Sequence, residues 1–94
     1  MNFTWDEAKR QSNRVKHGLD FARAPQVFAS ETFTTPDERF AYDEARFITI
    51  GWLDATLVVI AHTEIHNMIR IISMRRATPH ERRIYTENTR GNSC

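Results

Sequence analysis

The stretch RFITIGWLDATLVVIAHTEIHNMIRIISM, Arg46 to Met74, decides the fold. Its first eight residues alternate: Ile48, Ile50 and Trp52 on one side, Phe47, Thr49 and Gly51 on the other. A period of two is the mark of a strand with two different faces. Thr56 to Thr63 is β-branched and almost wholly apolar, the pattern of a central strand buried on both sides. Met68 to Met74 extends the same theme. The links Leu53-Asp54-Ala55 and Glu64 to Asn67 are short, so the three strands should run antiparallel through tight hairpins.

Outward from this core, both flanks read as helix. Downstream, Thr78-Pro79-His80-Glu81 combines an N-cap Thr, Pro at the first helical position and Glu at the third. That helix should reach about Asn88 and leave 90–94 as a frayed tail. Upstream, Thr4 and Glu7 have the spacing of a capping box, and Trp5, Ala8, Ser12 and Val15 fall on one helical stripe. Lys16 and His17 suit the last turn, and Gly18 suits the residue after it. A shorter helix is expected from about Phe21 to Ala29, capped by Asp20, with Pro25 awkwardly one turn inside it. Glu31 to Tyr42 is polar and turn-rich, and Phe33 suits a short extended piece. The expected architecture is α+β: two N-terminal helices, a small antiparallel sheet of three or four strands, and a C-terminal helix.

The chain has 94 residues, enough for one domain with one modest core, so residues 1–94 are taken as a single unit. Apolar residues are 40% and charged residues 27%, which argues against a disordered chain. The longest apolar run, Leu57 to Ala61, is far too short to span a membrane. The opening MNFTWDEAKR has no charged-then-apolar leader pattern, so a cytoplasmic location is expected. The single cysteine, Cys94, allows no intrachain disulfide.

A net charge of +1 conceals a strong segregation. Residues 1–23 balance at +2, 24–69 at −5 and 70–94 at +4. Basic ends that converge would make one polyanion-binding face, whereas ends that pair with the acidic middle would make only surface ion pairs. Arg70 to Tyr85 poses the same choice in miniature, with five arginines and one histidine in sixteen residues. Arg70 and Arg75 are an odd number of positions apart and would face opposite sides of a regular strand. They share a site only if the strand ends or bulges near Met74. If it does, Arg75, Arg76 and the helix start at Thr78 lie close together and suit a phosphate. The bland alternative is a solvated basic helix with one arginine tied to a carboxylate.

Other clusters are weaker. Asp6, Lys9, Asn13, Lys16 and His17 form a polar helical stripe, and His17 can exchange protons near neutral pH. Glu44 and Arg46 are two apart and face one side of an extended segment, as a structural pair or beside a site. His62-Thr63-Glu64-Ile65-His66 straddles a strand end and a turn without further ligands, so no metal site is expected. No Gly-rich phosphate loop is present in the sequence, and no cofactor is implied.

Three motifs in order resemble a known family. Phe3-x-Trp5-Asp6-x-x-Lys9, Asn13, Lys16-His17-Gly18, Phe21 and Val27-Phe28 are similar to the opening of the BrnT toxins, the DUF497 family. Tyr42 to Arg46 is similar to the family's Tyr-Gly-Glu-x-Arg, with Asp43 in the glycine's place. Arg70-Ile71-Ile72-Ser73-x-Arg75-x-Ala77-Thr78, then Glu81 and Tyr85, resembles its closing motif. Met74, where alanine is usual, and Pro25 are further departures, and none removes a group with chemistry to offer. The resemblance implies a RelE-like fold and a type II toxin that cleaves RNA and inhibits translation. It implies neutralisation by a BrnA-like antitoxin, through which alone the complex would reach operator DNA.

Metal-free RNA cleavage needs a base for the 2′-OH, an acid for the leaving 5′-oxygen and cations for the phosphorane. His17 and Glu44 are the candidates for base or acid, and Tyr85 for donating or orienting. Arg70 and Arg75, with Arg46 third, are the candidates for charge stabilisation. Lys9, Lys16, Arg76, Arg82 and Arg83 would track the RNA backbone. A non-catalytic RNA- or protein-binding module on the same fold is the rival expectation.

Overall fold

A computed structural model describes residues 2–38 and 44–89. The chain order is β1 (Asn2–Trp5), α1 (Glu7–His17), a 3-10 turn (Phe21–Arg23), α2 (Ala24–Phe28), β2 (Phe33–Pro36), β3 (Arg46–Leu53), β4 (Thr56–Ile65), β5 (Met68–Arg76) and α3 (Pro79–Thr89). The strands form one five-stranded sheet in the order β1-β5-β4-β3-β2. The α+β class, the three central strands and the C-terminal helix are as the sequence suggests. The sheet is larger and mixed, because β1 pairs parallel with β5.

The N-terminus is the main correction. Phe3 and Trp5 lie two apart, and Asn2–Trp5 pairs with Met68–Ile71 as an edge strand. Thr4 therefore sits in a strand. The cap of α1 is Asp6, whose side chain accepts from the Lys9 N–H at 3.1 Å. The expected apolar stripe of α1 is not its buried face: Val15 is 89% exposed, and the buried residue is Asn13. The Asn13 amide donates to the Met74 carbonyl at 2.9 Å and accepts from the Met74 N–H at 3.2 Å. It thus continues, by a side chain, the pairing of β5 that β1 abandons after Ile71. The same amide donates to the Leu19 carbonyl at 3.0 Å, so the group is satisfied three times by backbone, which is why it can be buried. The C-terminal end of α1 is as expected, with Gly18 at φ 70°.

The second helix divides in two. Asp20 caps the 3-10 turn through the Ala22 N–H at 2.9 Å, and Pro25 falls in the first turn of α2, where a missing N–H costs nothing. Arg10 grips Asp20 with two bonds of 2.7 and 3.1 Å and ties α1 to this turn. The Asp20 carboxyl is lowered to about 2 by that guanidinium and by the Ala22 N–H.

The sheet has two unlike faces. The first is closed by the 3-10 turn and α2: Phe21, Ala24 and Val27 pack on Val58, Ile60, Ile71 and Met74, with Phe3, Trp5 and Phe28 at the margin. Gly51 permits this closeness, since a Cβ there would meet Val27 Cγ1 and Thr32 Cγ2 at 3.0 Å. Phe21 is fully buried, so Phe21→Ala would cost about 3–5 kcal/mol. The second face carries a smaller core of Ile50, Leu57, Val59 and Tyr85, with Phe33, Ile48, Trp52 and Ala77 against it. Here α3 crosses from the end of β5 toward the start of β2. Its start is capped as expected: Thr78 Oγ1 accepts from the Glu81 N–H at 3.1 Å, and Glu81 accepts from the Thr78 N–H at 2.9 Å. The rest of the second face is not covered by a helix among the described residues.

Candidate nucleic-acid interface

The register of β4 against β5 shifts at one point. Ala61 pairs with Ser73 and His62 with Ile71, so Ile72 is an extra residue in β5. Such a bulge re-aims the side chains beyond it. Cross-strand partners share a face. Arg70 pairs with Thr63, Ser73 with Ala61 and Arg75 with Val59, and Thr63, Ala61 and Val59 alternate along one side of β4. Arg70, Ser73 and Arg75 therefore all face the second side of the sheet. The bulge on which a shared face depended exists, two residues before Met74.

The register then assembles a row. Arg46 pairs with Thr63, Thr63 with Arg70, and Arg70 with Thr4. At one strand spacing per step, the Arg46 and Arg70 backbones are roughly 10 Å apart. Two long guanidinium side chains on one face at that separation can close on a single phosphate from either side. Thr63 lies between them with only 2% exposure. Arg46 is half-buried and Arg70 exposed. Asp37 extends the row at its far end through its N–H to the Arg46 carbonyl at 2.8 Å. Glu44 is exposed, two residues before Arg46. Tyr42 and Asp43 lie outside the described residues.

Other candidates go elsewhere. Arg75, roughly 13 Å along the sheet from the row, is bound fork-to-fork by Glu81, with both N–O distances at 2.7 Å. The Arg75 guanidinium, with help from the Thr78 N–H, holds the Glu81 carboxyl near 2. This is the bland outcome foreseen for one arginine. Arg76 pairs with Val58 and so faces the opposite side, where it donates to the His17 carbonyl at 3.2 Å. His17 and Lys16 are thus gathered at the far end of β5 from Arg70 and on the other side of the sheet. The Tyr85 ring is buried against Trp52, and its hydroxyl donates to the Glu31 carbonyl at 2.8 Å. Arg82 stacks on Trp52 at 5.6 Å, Arg83 lies 3.5 Å from His80, and Lys9 is exposed on α1. Among the described residues no three His, Cys, Asp or Glu side chains gather as a metal site.

The sequence singled out His62 and Thr63 only within a rejected metal motif, and gave Asp37 no role. Thr63 and Asp37 become visible only through register. His62 is fully buried at the bulge, bonded through Nε2 to Thr49 Oγ1 at 2.7 Å, and Thr49 to Thr34 at 2.7 Å. Phe28 and Phe47 pack on its ring. Burial lowers its pKa to about 4, so the imidazole is neutral at pH 7.

Beside the row runs a groove of about 330 Å³ between α3 and the β2–β3 floor. On the far side of α3 a second depression, about 500 Å³, surrounds Trp52 and Arg82.

A family description, the ribonuclease toxin BrnT of type II toxin–antitoxin systems, matches residues 5–81. The chain belongs to the BrnT family. Its matched span runs from β1 to the capped first turn of α3 and includes the whole arginine row. No individually curated protein matches the chain. Membership carries the ribonuclease toxin class and a protein antitoxin as counterpart. Among the described residues no helix is long and apolar enough to cross a membrane.

Proposed function

We propose that this BrnT-family protein is a metal-independent endoribonuclease that inhibits translation in the cytoplasm, with the row Arg46–Thr63–Arg70 as its phosphate-binding centre. The observation that carries this reading is the bulge at Ile72, which turns Arg70 to the face of Arg46. The scissile phosphate sits between the two guanidinium groups, whose charge matches the extra negative charge of the phosphorane. Glu44, entering β3 beside Arg46, takes the proton of the 2′-OH. The 2′-oxygen then forms its bond to phosphorus as the bond to the 5′-oxygen breaks. The products are a 2′,3′-cyclic phosphate and a 5′-hydroxyl, the latter protonated from water. His17 stands outside this scheme, because its main-chain carbonyl is held by Arg76 on the other face.

An antitoxin of the BrnA kind would silence the enzyme by covering the exposed Arg70. A DNA-binding part of that partner would take the complex to its operator.

The test is purified protein with a short RNA, with and without EDTA, beside a copy carrying 2′-deoxy at the cut site. Cleavage in EDTA with a cyclic phosphate end, and none of the deoxy copy, is the expected result. Dependence on a divalent ion, or cutting of the deoxy copy, overturns the mechanism. A folded protein that binds RNA and leaves it whole returns the reading to a binding module.

A further inference from the structure

We infer that the groove between α3 and the β2–β3 floor is a nucleobase slot, selective for a base that presents two adjacent N–H donors, guanine above all. The inference rests on the arginine row being the phosphate site, and it adds the recognition of the neighbouring base.

The groove floor is Ile48 and Ile50, on the same face of β3 as Arg46. Ile48 is two residues from Arg46, about 7 Å along the strand. A nucleotide whose phosphate lies on the row sets its base one sugar away, over that floor. The walls suit a flat ring: Ile84 from α3 on one side, Phe33 and Thr35 from β2 on the other. A volume near 330 Å³ lies at the lower end of small-ligand pockets and holds one base rather than a helix.

Charge narrows the choice. The groove has one exposed carboxylate at its rim, Glu38, while Asp37 is buried and Glu81 is committed to Arg75. Glu38 is exposed at the mouth. A rim of this sign repels an acidic protein segment and accepts hydrogen-bond donors. Guanine offers a ring N–H beside an amino group, which meets a carboxylate in two parallel bonds, as an arginine does. Adenine and cytosine offer an amino group with an acceptor beside it. Uracil offers one N–H between two carbonyls, which a carboxylate repels.

Four short RNAs, each with 2′-deoxy at the cut site and differing only in the base beside it, would be titrated by fluorescence anisotropy. All-ribose copies would be cleaved in parallel. The guanine RNA should bind about tenfold more tightly than the uracil RNA. Glu38→Gln should reduce that ratio to below threefold with an unchanged melting temperature, and Ile84→Phe, which narrows the slot, should weaken the guanine RNA most. Equal affinity for all four bases overturns the slot, as does a Glu38→Gln protein that keeps the preference. Ile84→Phe binding every RNA as before while losing the antitoxin would make the groove a protein seat and also overturn it. The nuclease reading fails separately: base-selective binding without cleavage leaves the slot standing, whereas cleavage without base preference removes only the slot.

Discussion

The two ends of β5 carry the same kind of residue to opposite effect. At its beginning, Arg70 is exposed in a row with Thr63 and Arg46. At its end, Arg75 is clamped by Glu81, and Arg76 braces the last turn of α1. The first end leaves its guanidinium exposed. The second uses guanidinium groups as struts that fix helices to the sheet. Counting arginines therefore overstates the site. The extra residue Ile72 brings Arg70 and Arg75 to one face, and what separates them is their neighbours, Thr63 and Arg46 for the first and Glu81 for the second.

The comparison is most exposed to failure at Arg46. Arg46→Ala should lower single-turnover RNA cleavage about 100- to 1,000-fold, the usual cost of one charge-stabilising donor. A fall of less than about tenfold in a folded variant would break the link between row and chemistry.

The bulge itself can be probed through His62, which packs where the register shifts. Its pKa is depressed in the fold, to about 4, so the unfolded chain binds the proton more readily. The contribution of the neutral ring is then present above the unfolded value near 6.5 and is lost as pH falls toward 4. Unfolding free energy should drop by roughly 3 kcal/mol across that window beyond the background of other groups. In His62→Gln, which keeps a partner for Thr49, this part of the slope should vanish. A pH profile identical to that of the parent would show that the ring is not sealed at the bulge.

A smaller effect is expected at the strut end. Asn13→Ala leaves the Met74 N–H and C=O without their side-chain partner and should cost about 1–3 kcal/mol in denaturant unfolding, with cleavage by the folded protein within threefold. Strong loss of activity at unchanged stability would place α1 in the site after all. Least of all should change in His17→Ala, where the pH–rate profile and the rate are expected to stay within about threefold. Loss of one limb of that profile would restore His17 as acid or base.

Much of the framework was legible in the sequence because its signals are local. The alternation in β3, the apolar run of β4 and the Thr78-Pro79-His80-Glu81 cap each specify their element within a few residues. The edge strand β1 was not, since its partner is β5, at the other end of the chain. Thr4-x-x-Glu7 mimics a capping box, and Asp6 does that work instead. The burial of Asn13 was equally hidden, because a polar residue is buried only where a distant backbone receives it. For the site, residue types pointed to Arg70 and Arg46, but no periodicity announces a bulge. Nor does spacing tell an arginine held by Glu81 from one left to a ligand.

The most direct test sets Arg70 against Arg75, two arginines on one strand and one face. Each is replaced by Ala, and single-turnover cleavage of one RNA is measured beside the denaturant midpoint. Arg70→Ala should slow cleavage about 100-fold or more at an unchanged midpoint. Arg75→Ala should lower stability by about 1–2 kcal/mol, as the bond from a half-buried carboxylate is lost, with cleavage by the folded protein slowed less than tenfold. The reverse pattern, with Arg75 indispensable to cleavage and Arg70 replaceable, would contradict the assignment of the row as the phosphate site.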